Sequence, residues 1–116
     1  MNIICKVGSV MMMSVLSVSA LAATETFTNP TVWAIDSSNN NTVIAGLFPQ
    51  TDIVHKFCRD EGYNKATFTG MQTKFSDKAG FGNVATQVIR NEFYSTRITH
   101  GMPYSFPVVT KIKCID

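Results

Sequence analysis

Cys58 and Cys114 stand 56 residues apart, one inside a helical pattern and one inside an alternating pattern, and each falls on the apolar side of its pattern. Two inward-facing cysteines can close one covalent loop, and a chain so closed must bring a helix onto a strand. The pairing depends on compartment. Of the three cysteines in the 116-residue chain, Cys5 lies in a segment that reads as an export leader. Lys6 supplies a positive start, Val7 to Val18 is apolar, and Ala20-Leu21-Ala22 offers small residues where a signal peptidase cuts. Cleavage of residues 1–22 is expected to leave Ala23 as the first residue, an even number of cysteines and an oxidising environment, which favour a Cys58–Cys114 disulfide.

The expected mature chain, residues 23–116, is long enough for one small domain and too short for two cores. Loss of Lys6 alone from ten Lys and Arg leaves it nearly neutral against eight Asp and Glu. The remaining basic residues are scattered singly, so neither a nucleic-acid stripe nor a polybasic membrane patch is indicated, and no stable membrane insertion is expected after cleavage.

Residues 23–31 read as a tail or an edge lead-in ending at Pro30, with the first ordered element near Thr31. Thr31–Ile35 and Thr42–Ala45 are β-rich runs separated by the turn-forming cluster Asp36–Asn41, and a hairpin follows. Thr51 as N-cap, Asp52 in the first turn and Gly62 beyond the end predict a helix over 51–61. Ile53, Val54, Phe57 and Cys58 form its inner face; His55, Lys56, Arg59 and Asp60 are expected outside, with Lys56 reaching Asp60. Asn64 to Phe75 alternates as a strand with a bend at Gly70, and Ser76 to Gly82 reads as a mobile loop. Residues 84–94 fit helix and strand alike; their Thr, Val and Ile content favours one strand. Residues 97–106 read as a loop. The last strand should bury Phe106, Val108, Thr110, Ile112 and Cys114 and expose Val109, Lys111 and Lys113.

The predicted fold is α+β, a small antiparallel sheet of four to five strands packed by one short helix and tied by one disulfide. An all-β sandwich-like domain is the alternative.

Catalytic motifs are absent. There is no Gly-x-Ser-x-Gly, no His-Glu-x-x-His and no phosphate-cradling loop, so no catalytic residue is assigned and an enzyme is not expected. His55, three residues from Cys58, and His100 make a weak metal set, because a disulfide consumes the sulfur; no metal and no cofactor are expected. Amphipathic aromatics can bury large area at small entropic cost, which directs attention to Phe81, Met102, Tyr104, Tyr94 and Trp33 as binding residues, with Tyr63 beside them. Trp33, in a strand, is expected to pack in the core. The expected function is that of a small exported, non-catalytic binding protein, secreted or periplasmic, acting on a protein or glycan partner outside the cytoplasm. A small secreted hydrolase, an enzyme inhibitor and a structural envelope component are the alternatives.

Overall fold

A computed structural model describes residues 23–98 and 106–116. The expected leader, with Cys5, lies outside the described residues, as do His100, Met102 and Tyr104. The described chain is mostly strand: β1 (Thr24–Thr28), β2 (Val32–Asp36), β3 (Thr42–Leu47), α1 (Thr51–Asp60), β4 (Lys65–Phe75), the single turn α2 (Ser76–Ala79), β5 (Asn83–Ile89), β6 (Glu92–Arg97) and β7 (Pro107–Ile115). In place of one sheet of four to five strands there are two sheets. β1, β7 and β4 form an antiparallel sheet with β7 in the middle, and β2, β3, β5 and β6 close into a ring.

The ring is two hairpins joined by two short parallel seams, Ile35 and Asp36 beside Tyr94 and Ser95, and Gly46 and Leu47 beside Val84 and Ala85. A four-stranded closure leaves little interior, and five of the nine buried positions on these strands are accordingly small: Ala34, Ala45, Gly46, Ala85 and Ser95. The larger Leu47 and Phe93 join Ile53, Val54 and Phe57 of α1 and Val109 and Ile112 of β7 in one core.

The expected hairpin of β2 and β3 forms, its loop closed by the Asp36 N–H donating to the Asn41 carbonyl at 2.8 Å. α1 runs almost as expected, but its N-cap is Gln50, which makes no side-chain capping bond. Its far end follows the Gly62 signal. Gly62, at φ 97°, lets the Gly62 N–H reach the Arg59 carbonyl and the Tyr63 N–H reach the Cys58 carbonyl, the paired bonds of a Schellman motif. The bend in β4 also forms: pairing with β7 slips between Thr67 and Gln72, around Gly70.

Several expectations fail for identifiable reasons. The amino-terminal stretch is a true edge strand, β1, held because Phe27 packs edge-on to Phe57 with ring centroids 5.1 Å apart. Residues 84–94 are not one strand, since Arg90 and Asn91 both adopt positive φ and turn the chain in a two-residue hairpin between Ile89 and Glu92. Residues 76–82 are not wholly loop, because buried Ser76 starts the turn of α2 and its Oγ accepts the Phe106 N–H at 3.3 Å. Val109 is buried rather than exposed. Thr73 pairs with Val109 and Gln72 with Lys111, so Thr110 is an extra residue that reverses the alternation of β7. Val109 therefore joins Ile112 and Cys114 in the core, while Val108 faces Gly46 of the ring.

The disulfide is present, joining Cys58 of α1 to Cys114 of β7 across a Cα separation of 5.3 Å. Among the described residues no helix is long and apolar enough to cross a membrane.

Two stability measurements check this architecture. Replacing both cysteines by serine should cost about 4 kcal/mol in urea unfolding, the loop-entropy value for a closure of this size. At Gly46 an added Cβ would lie 2.8 Å from Val108 Cγ1 and 3.0 Å from the Phe81 ring, so Gly46→Ala should lose about 1–3 kcal/mol by overpacking where ring and sheet meet.

Candidate functional site

The cysteine that fixes α1 to β7 also fixes what lies beside it. Phe57, Asp60 and Glu61, from the last turns of α1, face Val32 and Trp33 of β2 and the β5–β6 hairpin end at Asn91, Glu92 and Phe93 across a groove of about 320 Å³. Val32, Phe57 and Phe93 are its apolar surfaces. Asp60, Glu61 and Glu92 bring carboxylates to it.

Lys56 also lines this groove and is not the exposed residue that its helical position suggests: only 5% of it is accessible. Its ammonium lies 5.0 Å from the Phe93 ring centroid and donates to Asp60 Oδ2 at 2.9 Å and to Asn91 Oδ1 at 3.3 Å. The expected Lys56–Asp60 pair therefore forms, with the lysine stem lying on apolar surface. Among the described residues no comparable ion pair engages Glu61 or Glu92.

Trp33 departs most from expectation. It is 67% exposed and stands opposite Ile44, itself 56% exposed, on the outer face of the β2–β3 hairpin. The small ring forces this outcome: β2 turns Ala34 and Asp36 inward, so Trp33 and Ile35 face out. Tyr94, the register neighbour of Ile35, is half-buried on β6. Phe81 lies with its ring against Gly46 and does not join Trp33 in lining the groove. Tyr63 donates its hydroxyl to Glu25 at 2.6 Å, a bond that pushes the phenol up to about 12 and ties α1's exit to β1.

His55 is half-buried, its Nδ1 accepting the Ala66 N–H at 3.0 Å and its ring 5.9 Å from that of Phe68. Among the described residues no histidine lines the groove. Among the described residues no group of three or more His, Cys, Asp or Glu is gathered as a metal centre.

A second polar cluster closes one end of the ring. The fully buried Asp36 carboxylate accepts the Ser38 hydroxyl and N–H at 2.7 and 2.9 Å on one oxygen, and the Arg97 guanidinium at 3.0 Å on the other. The Ser38 bonds, with Arg97 behind them, hold the carboxyl below its ordinary value against the upward pull of burial. All its acceptor directions are used within the fold, which makes it a clasp between β2 and β6.

A depressed carboxyl stabilises the fold at pH values above its unfolded value near 4, and that contribution disappears as pH falls through the lower folded value. The urea midpoint of the wild type should therefore drop on acidification below about pH 4. Asp36→Asn, which also sets an amide N–H against Arg97, should be less stable at neutral pH and show a shallower acid decline. Comparison with known protein families, characterised proteins and solved structures finds no match for this chain.

Proposed function

We propose that the protein is a small exported binding protein that acts outside the cytoplasm and holds a protein or glycan partner without catalysis. The observation that carries this reading is Trp33, an indole two-thirds exposed at the margin of a preformed groove. Leaving so large an apolar side chain in water forgoes on the order of 2 kcal/mol of burial, and interfaces use such anchors because they recover that energy on contact. Ile44 and Ile35 beside it widen the apolar margin. The disulfide supports an oxidising compartment, since such bonds persist mainly in exported proteins. Both walls of the groove are tied into the fold, α1 by the disulfide and β2 by pairing with β3 and β6, which would limit the ordering cost of binding.

Trp33 is the single tryptophan of the chain, so its fluorescence reports the groove alone. Its emission should shift when a partner recovered from the native extracellular setting is added. Trp33→Ala should abolish capture while leaving stability within about 0.5 kcal/mol of the wild type. Undiminished capture by that variant would overturn the assignment of binding to this groove.

A further inference from the structure

The groove already shows how it accommodates a cation. The Lys56 ammonium sits above the Phe93 ring and against the Asp60 carboxylate, its stem along apolar surface. That pair satisfies one lysine and one acid. Glu61, at the carboxy-terminal cap of α1, and Glu92, at the start of β6, contribute two further carboxylates with no ion pair among the described residues. The neighbouring basic residues Arg59 and Arg90 do not line the groove. The cavity thus presents two uncompensated negative charges, an indole face and an apolar floor within one concave surface, although the expected mature chain is nearly neutral.

Resting on the binding role assigned above, we infer that the occupant is a basic side chain, arginine or lysine, presented by a protein partner and flanked by apolar residues. The charge complementarity selects it. A guanidinium stacks on indoles and donates to carboxylates, both of which line this groove, and its methylene stem suits the apolar residues there. A neutral sugar would gain the indole face but would leave two carboxylates to be desolvated without a counter-charge, which is unfavourable.

The probes are a blocked five-residue peptide with a central arginine between leucines, the same peptide with citrulline replacing arginine, and the trimer of N-acetylglucosamine. Each is titrated into the intact protein, read by Trp33 emission and by calorimetry. The arginine peptide should bind, the citrulline peptide should bind about tenfold more weakly, and the Glu61→Gln/Glu92→Gln variant should lose a similar factor for the arginine peptide only. Binding of the arginine peptide should also weaken as salt rises from roughly 0.05 to 0.5 M. Both glutamates are exposed, and an unchanged circular dichroism spectrum verifies the variant's fold. Equal binding of the citrulline peptide, or equal binding by the double variant, would overturn the cationic occupant while the groove itself stands. Binding of the sugar trimer without the peptides would overturn it in favour of a glycan. Silence of all three probes in a folded protein would also overturn it, and capture by Trp33→Ala would then decide separately whether the groove binds anything.

Discussion

The covalent tie between α1 and β7 is the constraint on which the other elements lean. A ten-residue helix has little stability of its own in water, and this one lacks a side-chain cap at its start. It persists by packing Ile53, Val54 and Phe57 into the core and by the bond from Cys58 to the middle strand of the three-stranded sheet. Because Phe57 precedes Cys58 and Asp60 and Glu61 follow within a turn, the same bond sets the position of one wall of the groove. Stability and the shape of the groove therefore share a single cause at that point of the chain.

Two buried charges are handled alike. Lys56 is paired to Asp60 and Asp36 to Arg97, and in each pair the buried group has a partner about half exposed. Full burial of both ions would impose a desolvation cost that the pair attraction seldom offsets; a partner that keeps contact with water reduces it. The two pairs also differ in consequence. Asp36 has its oxygens fully engaged and holds β2 to β6, whereas the Lys56 pair lies open to the groove and shapes its electrostatic character.

Elements whose chemistry is local are legible in the sequence. Gly62 as a helix stop, Gly70 as a break in β4, the Asp36–Asn41 turn and the inward cysteines each depend on a few neighbouring residues, and each is found in the fold. The failures are of another kind. Arg90-Asn91 turns the chain without a glycine, so Asn91 is the lone turn-favouring mark of the hairpin that divides residues 84–94. The extra residue at Thr110 shifts β7 by one position and brings Val109 inward, a change that alternation alone cannot reveal. For Trp33 the sequence offers both a place in the core and a binding role, and ring closure through parallel seams, a long-range property, dictates which face of β2 is covered. Helical spacing puts Lys56 outside the inner face of α1, and only the β5–β6 hairpin end, remote in sequence, covers its long apolar stem. The groove joins α1, β2 and the β5–β6 turn, and no sequence window contains all three.

Closing β2, β3, β5 and β6 upon one another has a consequence for self-association. Closure covers part of the second side of every ring strand, two residues at each parallel seam, so among the described sheets the strands with a wholly unpaired side are β1 and β4. β1 is only five residues long and carries Glu25, while β4 carries Lys65 and Lys74, is interrupted near Gly70, and has its Ala66 amide plugged by the His55 imidazole. Short length, like charges, a kink and a stoppered amide are each obstacles to the docking of a foreign strand. Along these two edges, the templating of fibrils by a largely β-stranded chain is disfavoured.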